Sequence, residues 1–443
     1  MATHSLDELF AAPSRRVQAQ FKFFFFDEPT IIDQDNYLID FEINEQVMDD
    51  TSGVLGSPQP STLDISLSNI KGMFTPSNAS GPFAGRIAPG LKIVGEIKVI
   101  ALGEESGWLP LGCFYVTDWK APAGSAEVSV YAGDCLQSIF DTNTSAIEVV
   151  ENYTYSQFIT YFFETIGAPA VMEDTLGTVL PFGWSTGDTK EDLTALTNAA
   201  RAVCISNRTE QPHIHSLIKQ REVRATIDDD CGLLVSATEN SSFVQQYAGV
   251  NLTYKQPCLA ADTAVVTANE MPVVAGEAAL DPILFSRTPV YAVESVCCQT
   301  KQGLITVTDY VYTPSAITVT LLNSAVEELT TDLCVHGTVV DFTDVELTDE
   351  VDDLFSFNNM FIQSSVYAEL YKVFLERFIS CKLPTLTIEI IGNADFKLLD
   401  RIQFNSKKYS MQFDGVIVGI KTAFSSGLSQ TLTLLNSSIL TDM

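Results

Sequence analysis

The two histidines at 213 and 215 have the spacing of a metal-ligand pair. His213-Ile214-His215 alternates along a predicted strand, so both imidazoles point to the same side of it. Cys204, across a predicted hairpin, is a candidate third ligand, because zinc takes imidazole and thiolate ligands. However, no acidic residue and no Cys-x-x-Cys pair lies at ligand spacing, and Pro212 begins an ordinary strand. The sequence therefore predicts no metal site and no cofactor.

Two acidic segments are candidates for binding a cation. Residues 228–232, Asp-Asp-Asp-Cys-Gly, lack the alternating oxygen ligands and the terminal Glu of an EF-hand loop, which favours a solvated turn. The densest charge in the chain, called the acidic stretch below, consists of Asp341, Asp344, Glu346, Asp349, Glu350, Asp352 and Asp353. Carboxylates this crowded repel one another unless water or a cation screens them. A wet surface loop is the favoured interpretation, a lumen-facing acidic belt the second and a calcium site the third.

The sequence contains no recognisable catalytic motif. It has no G-x-S-x-G nucleophile elbow, no Walker loop, no H-E-x-x-H and no dinucleotide-binding fingerprint. Carboxylates are abundant throughout, so their number alone does not indicate a glycosidase pair. We therefore predict that the protein is not an enzyme.

Composition narrows the class of protein further. The 443 residues suggest several domains, and 46% hydrophobic content excludes general disorder. A formal net charge of −31 argues against a protein that grips nucleic acid, which needs clustered Lys and Arg. The sequence has no apolar run long enough for a membrane span, and its acidic N-terminus does not resemble a signal peptide. We expect synthesis in a cytoplasm, no membrane insertion, and nine reduced cysteines.

Hydrophobic periodicity predicts a mainly β protein with a few helices. Four helices are predicted. One begins near Asp134 and another near Asp188 or Thr189, and the other two span Ser156–Ile166 and Ser365–Ser380. A hairpin is predicted from 203–205 and 214–218, and further strands follow at 264–267, 290–296, 304–311, 317–322 and 338–342.

The N-terminal region raises two structural questions. Leu6, Leu9 and Phe10 could form the apolar face of a short helix that Pro13 ends, although a disordered terminus is the favoured alternative. From Arg15 the period changes to two, and the apolar face that begins at Val17 predicts a strand continuing through Phe26. The phenylalanine run at 23–26 favours a central strand that is apolar on both faces, with an exposed binding patch as the alternative.

Two distant segments, 91–132 and 396–435, repeat one pattern. Each begins with a short strand, continues into a β-rich run that ends at Trp119-Lys120 or Ile420-Lys421, and closes with an alternating strand after a glycine-containing turn. Internal similarity of this kind indicates a duplicated β unit, and such units are typical of assemblies built from repeats.

The order of several short motifs resembles the central hub, or tail-tip, proteins of long-tailed bacteriophages and related contractile injection machines. The motifs are Val54-Leu55-Gly56-Ser57 with Leu63–Asn69, Pro89-Gly90, the run GCFYVTDW at 112–119, VSVYAGD at 128–134, a helix at 156–166 followed by GAP, and LDRI at 399–402. The resemblance covers most of 15–235 and 356–435.

The resemblance implies a homotrimeric structural protein of the virion, located at the distal end of the tail. Each subunit would contribute two tube-like β-barrels, so that three subunits match a six-fold tail tube and a three-fold tip or spike. The implied partners are the tube or distal tail protein and the spike, tip or fibre proteins. DNA would pass through the channel during ejection without specific binding, and the acidic stretch would line the channel or face solvent.

The predicted architecture combines these patterns. The fold class is mainly β with a few helices, with two β-barrel modules, a small α/β module and an additional β domain. The predicted boundaries are 1–14 for an N-terminal arm, 15–140 for the first barrel module, 141–235 for the α/β module, 236–355 for a β-rich contact domain, and 356–443 for a helix plus the second barrel module. The alternative function is a tail-tip adhesin in which Trp108 and Trp184 stack on host-surface carbohydrate.

Overall fold

The computed structural model describes residues 4–47, 56–122, 124–144, 147–240, 247–299, 304–381, 385–425 and 427–440. Strands dominate, which confirms the predicted mainly β class. The helices are α1 (Leu6–Ala11), α2 (Cys135–Phe140), α3 (Tyr155–Thr165), α4 (Thr189–Ala199) and α5 (Ser365–Ser380). Within the described part of the chain, no helix is long and apolar enough to cross a membrane. Residues 54–55 of the first tail-hub motif lie outside the described residues.

Local capping explains where the helices begin. The Thr154 hydroxyl accepts a hydrogen bond from the backbone N–H of Gln157, whose side chain accepts one from the Thr154 N–H in return, and α3 starts at the next residue. The Asp188 carboxylate caps α4 with a single hydrogen bond, which it accepts from the backbone N–H of Glu191 at 2.9 Å. The predicted helices at these two places are confirmed to within a residue.

The N-terminal helix is ordered, and the favoured prediction of a disordered terminus is wrong for residues 6–11. Leu9 and Phe10 are buried in the same core as the strands that follow. Ser5 and Glu8 form a capping box, and Asp7 accepts a hydrogen bond from Arg224 at 2.8 Å. Burial of two large apolar side chains offsets the entropy cost of ordering so short a segment.

The first sheet unit consists of antiparallel strands in the spatial order β3-β4-β8-β7-β5-β1. Its strands are β1 (Arg15–Phe23), β2 (Thr30–Asp33), β3 (Leu38–Gln46), β4 (Thr62–Ser68), β5 (Lys92–Ala101), β6 (Glu104–Glu105), β7 (Leu109–Lys120) and β8 (Glu127–Gly133). Short β2 and β6 pair with β1 and β5, respectively. One face of this unit covers its own apolar core.

The phenylalanine run is only partly a strand, so the prediction of a strand through Phe26 is wrong. Strand β1 ends at Phe23, and the chain bends after it. Phe21, Phe23 and Phe25 are buried on one side, whereas Phe26 is 46% exposed beneath the Arg86 guanidinium. The run therefore does not form a strand that is apolar on both faces.

The intermediate segment forms small sheets packed with helices. These strands are β9 (Val150–Thr154), β10 (Val171–Met172), β11 (Val179–Gly183), β12 (Ala202–Ile205) and β13 (His213–Ser216). The order β10-β13-β12 confirms the predicted hairpin of β12 and β13. Helices α2 to α5 share one core with these strands, so α5 packs here although the prediction groups it with the C-terminal module.

A long two-stranded ribbon carries a separate β-sandwich. The strands are β16 (Gly249–Val273), β17 (Gly276–Ala279), β18 (Ile283–Leu284), β19 (Val290–Gln299), β20 (Ile305–Tyr312), β21 (Ala316–Asn323), β22 (Leu329–Thr348) and β23 (Leu354–Asn359). One end of the β16–β22 ribbon packs on the helical core, and the other end joins a core of its own. The predicted strands at 264–267 and 338–342 are parts of these longer strands. Bulges, two of them at Asp262 and Glu270 with positive φ, interrupt the alternation that the prediction relied on.

The second sheet unit has the order β15-β24-β27-β26-β25-β14. Its strands are β14 (Val223–Asp228), β15 (Leu234–Asn240), β24 (Thr385–Ile390), β25 (Arg401–Ser406), β26 (Met411–Phe424) and β27 (Leu428–Asn436). Strands β14 and β15 thus pair with C-terminal strands, although the prediction begins the C-terminal module only at 356. Strand β15 also crosses the predicted boundary at 235. The division of the chain into domains otherwise stays a prediction.

The two sheet units join where β3, an edge strand of the first unit, pairs with β26, an inner strand of the second. Strand β26 pairs with β25 over its first half and with β3 over its second half, where Gly419–Phe424 face 41–46. All the strands of both units consequently belong to one continuous sheet. Separate apolar cores lie under the two units.

Candidate functional site

The acidic stretch lies at the end of the ribbon that packs on the helical core. Asp341, Asp344 and Glu346 are on β22, opposite residues of β16. Asp349 follows the end of β22, and Glu350, Asp352 and Asp353 lie in the turn between β22 and β23. Five of the seven residues are exposed, and Asp341 and Asp349 are half-buried. The stretch is therefore a surface feature that combines a strand with a turn.

Three carboxylates of the stretch are neutralised by ion pairs. Asp341 pairs with Arg287, Asp344 with Lys255, and Asp349 with Lys372. The Lys372 ammonium and the Val250 backbone N–H, which donates at 2.8 Å, lower the pKa of Asp349.

The other four carboxylates, those of Glu346, Glu350, Asp352 and Asp353, are exposed and have no ion pair in the described part of the chain. Among the described residues, no three members of the stretch bring ligand atoms close enough to hold one cation. The geometry therefore favours a solvated negative surface over a calcium site.

The acidic segment at 228–230 forms a turn, as predicted, and one of its carboxylates organises a neighbouring turn. Asp229 accepts hydrogen bonds from the Ser406 hydroxyl at 2.5 Å and from the backbone N–H groups of Lys407 and Lys408 at 2.7 and 3.0 Å. These hydrogen bonds lower the pKa of Asp229, and the one from the Ser406 hydroxyl has the largest effect. The carboxylate thus fixes the connection between β25 and β26.

The structure places His213 and His215 together but excludes Cys204 from their group. Val203 and Ile205 are the cross-strand partners of the two histidines, whereas Cys204 faces Ile214, so its thiol points to the opposite side of the sheet. The sequence-based suggestion of Cys204 as a third ligand is therefore wrong.

An acidic residue that sequence reasoning missed completes the histidine group. The Glu173 carboxylate lies 2.7 Å from Nδ1 of His213. It arrives from a different segment, 40 residues earlier, because β10 pairs in parallel with β13. No local spacing rule could have found it.

Of the two tryptophans in the sugar-binding alternative, one is buried and one is exposed. Trp184 is only 7% exposed and stacks on Phe342 with ring centroids 4.5 Å apart, so it is a core residue. Trp108 is 41% exposed, and the Lys98 ammonium lies 5.2 Å from its ring centroid. The predicted pair of exposed stacking tryptophans is therefore wrong for Trp184.

The repeated segments fold as equivalent meanders. Segment 91–132 contributes β5, β7 and β8, and segment 396–435 contributes β25, β26 and β27, each as three successive antiparallel neighbours. A β-bulge shifts the pairing of β7 with β8 between Val116 and Asp118, and another shifts the pairing of β26 with β27 between Ile417 and Gly419. These bulges immediately precede the aligned pairs Trp119-Lys120 and Ile420-Lys421, so the predicted repetition extends to a shared irregularity.

A buried ion pair, also missed from the sequence, ties the two sheet units together. The Arg208 guanidinium donates from Nε and one terminal nitrogen to the two Glu45 carboxylate oxygens, at 3.0 and 2.8 Å. Its terminal nitrogens also donate to the carbonyl oxygens of Ala394 and Phe396 at 2.7 and 2.9 Å. Burial alone would lower the pKa of Arg208, but the Glu45 carboxylate outweighs it and raises the pKa. Arg208 thereby connects β3 to the segment before β25.

Like charges face each other on the solvent side of β3 and β4. Glu42 and Asp64 are direct cross-strand partners, and Asp40 lies two residues from Glu42. Burial first, and then the charges of Asp40 and Glu42, raise the pKa of Asp64. Directly opposed carboxylates repel each other across a sheet. Lys421 on β26, whose ammonium lies 2.9 Å from the Glu42 carboxylate, offsets part of that repulsion.

The chain has the fold of two tail proteins of known structure, one of them from a prophage. One structure of this fold is the 43 kDa tail protein of prophage MuSo2 from Shewanella oneidensis, with 11% identity, a TM-score of 0.54, and coverage of 96% of this chain and 99% of the other. Another is the tail protein from Neisseria meningitidis MC58, with 10% identity, a TM-score of 0.52, and coverage of 96% and 98%. No family model and no curated protein sequence matches the chain.

Proposed function

We propose that the protein is a structural hub at the distal end of a bacteriophage tail, where three copies adapt the six-fold tail tube to a three-fold tip or spike. The proposal rests mainly on the two sheet units, whose strands follow equivalent spatial orders: β3-β4-β8-β7-β5-β1 in the first and β15-β24-β27-β26-β25-β14 in the second. In these orders the repeated strands β8, β7 and β5 occupy the same positions as β27, β26 and β25. Three subunits would then present six similar units in one ring. The fold shared with two tail proteins, one of them from a prophage, supports the same assignment.

The junction between the units suits such a ring. Units joined through continuous β26–β3 pairing and the buried Arg208–Glu45 pair would move together rather than as flexibly linked domains. The units also differ at one edge, because β1 runs antiparallel to β5 whereas β14 runs parallel to β25. This difference would give each subunit one pseudo-equivalent pair rather than two identical units, as a three-fold assembly requires.

Electrostatics supports a role in conducting DNA. Three chains of formal charge −31 would carry −93 in total, and negative walls prevent phosphates from adhering. The acidic stretch, with its four unpaired carboxylates, and the Glu42–Asp64 patch are the proposed contributors to the channel lining. A role confined to structure is proposed as well, with tail-tube and spike proteins as partners and the virion tail as the location.

The mass of the full chain in solution tests the proposal. Light scattering coupled to gel filtration should give about 145 kDa, three times the chain mass of 48.4 kDa. Electron microscopy of the particle viewed along its axis should show six similar lobes around a hole. Mixing with the tube protein from the same phage should produce a larger complex.

Two outcomes would contradict the proposal. A stable monomer that ignores the tube protein would remove the hub, and binding of the isolated chain to host-cell carbohydrate would favour the adhesin. The channel proposal has a separate test, since a trimer whose acidic stretch and Glu42–Asp64 patch lie on the outer wall would retain the hub but lose the lining.

A further inference from the structure

The edge of the β10-β13-β12 sheet brings together three metal-ligating side chains. His213 and His215 lie on β13 with one residue between them, and Glu173 directly follows β10. The backbone N–H of Glu173 donates to the Ile214 carbonyl at 3.0 Å, which extends the parallel pairing and fixes the carboxylate beside the histidines. One ligand atom from each of the three residues lies within 4.8 Å of the other two. Among the described residues, this is the only group of its kind.

The polar contacts within the group leave one ring nitrogen without a partner. Nδ1 of His213 contacts Glu173 at 2.7 Å, and its Nε2 contacts the Thr209 hydroxyl at 3.0 Å. Nε2 of His215 is buried and has no hydrogen-bond partner. The two rings are nearly parallel, with an interplanar angle of 15° and centroids 6.3 Å apart. A carboxylate–histidine hydrogen bond alone accounts for His213 but leaves the orphaned nitrogen of His215 unexplained.

We propose that Glu173, His213 and His215 bind a divalent transition-metal ion of the zinc type. Two imidazole nitrogens and one carboxylate oxygen suit Zn²⁺, whereas Ca²⁺ and Mg²⁺ select oxygen ligands. The Glu173 side chain is 38% exposed and that of His213 only 11%, so the site is open to solvent on its carboxylate side. Water or a group from a neighbouring protein would complete the coordination there.

The ion would serve as a clip between chain segments. Strand β10 contributes only two residue pairs to β13, which is little hydrogen bonding to hold the segment that bears Glu173. One ion coordinated by Glu173 and by both histidines would fasten that segment to the hairpin of β12 and β13. Because metal bound to the folded state stabilises it by mass action, the clip would raise thermal stability only when the ion is present.

The full-length chain, stripped with a chelator and then dialysed against Zn²⁺ or Co²⁺, provides the test. We expect one Zn²⁺ per chain by elemental analysis, and Co²⁺ absorption bands typical of nitrogen and oxygen ligation. Glu173→Gln and His215→Asn should each weaken Zn²⁺ binding by about 100-fold or more, since even second-shell changes cost 10–100-fold. Added Zn²⁺ should raise the Tm of the wild type and leave the Tm of both variants unchanged.

His336→Asn is the matched control, because His336 also contacts a carboxylate, that of Asp262 at 3.0 Å, but lies in the separate β-sandwich region. This variant should bind Zn²⁺ like the wild type. Glu173→Gln alters a partly exposed side chain, so its metal-free Tm reports whether the fold is intact. Absence of stoichiometric Zn²⁺ in the wild type would overturn the proposal, as would undiminished binding in a folded Glu173→Gln or His215→Asn variant. The result does not depend on the hub assignment, because the oligomeric state plays no part in it.

Discussion

Replacing Arg208 with Met tests whether the buried ion pair holds the two sheet units together. The Arg208 and Glu45 side chains are 4% and 6% exposed, so solvent cannot replace the lost partner. The substitution leaves the Glu45 carboxylate buried without its cationic partner. It also removes the hydrogen-bond donors to the carbonyl oxygens of Ala394 and Phe396.

The expected cost follows from that burial. Removing one partner of a buried pair typically lowers the free energy of unfolding by about 3–5 kcal/mol, because an uncompensated charge remains. The same substitution at the half-exposed Arg287–Asp341 pair should cost only about 0–1 kcal/mol, which makes Arg287→Met the matched control.

The assay should be local, because a chain with several apolar cores need not unfold in one step. Hydrogen exchange read by mass spectrometry on peptides from β3 and β26 reports the local opening free energy. If strand opening follows loss of the pair, exchange in Arg208→Met should accelerate there on the order of 100- to 5,000-fold. Exchange within the distant β-sandwich should stay at the wild-type rate.

A double variant distinguishes the cost of leaving the Glu45 charge unpaired from the cost of lost side-chain packing. Arg208→Met combined with Glu45→Leu removes both charges, so its cost should be smaller than the sum of the single costs by about 1–3 kcal/mol. Strictly additive costs, or an Arg208→Met variant within about 1 kcal/mol of the wild type, would refute the assigned role of the pair.

Two further predictions concern packing and charge within the sheets. A Cβ on Gly183 would lie 2.7 Å from the Phe158 ring, so Gly183→Ala should lower the local opening free energy, read by hydrogen exchange on peptides from α3 and β11, by about 1–3 kcal/mol. Gly177→Ala, with open space around it, should stay within about 0.5 kcal/mol of the wild type. A small cost at Gly183 would show that the ring yields. Asp64 has a raised pKa, so its contribution to stability is present below the unfolded pKa, near 3.9, and is lost as the pH rises through the folded pKa. Asp64→Asn should therefore raise the urea midpoint at pH 7 and leave it unchanged near pH 3. An equal shift at both pH values would show that the ionisation of Asp64, which burial and then the charges of Asp40 and Glu42 oppose, is not the cause.

Patterns within short windows predicted much of the secondary structure. Helix α3 is an example, because its cap at Thr154 and Gln157 and its apolar periodicity are all local. The two meanders were also predictable, since alternating side chains indicate a strand wherever that strand finds its partner. Prediction was wrong where burial depends on distant contacts. The fate of the N-terminal helix, for instance, depends on a core formed by residues far along the chain.

The candidate sites divide along the same line. Sequence order placed His213 and His215 on one face and identified the acidic stretch as exposed charge, because both features arise from consecutive residues. Only the tertiary structure brought Glu173 to the histidines and turned Cys204 away from them, since strand pairing and register determine which distant side chains meet.

The sequence by itself thus determined the β-rich class, the duplicated meander and the strong negative charge. Tertiary structure alone decided that β26 continues onto β3, that β14 and β15 complete the second unit, and that Arg208 is buried against Glu45. The physical reason is that periodicity specifies which face of a strand is apolar, whereas the choice of neighbour depends on burying whole faces together and satisfying the polar groups trapped between them.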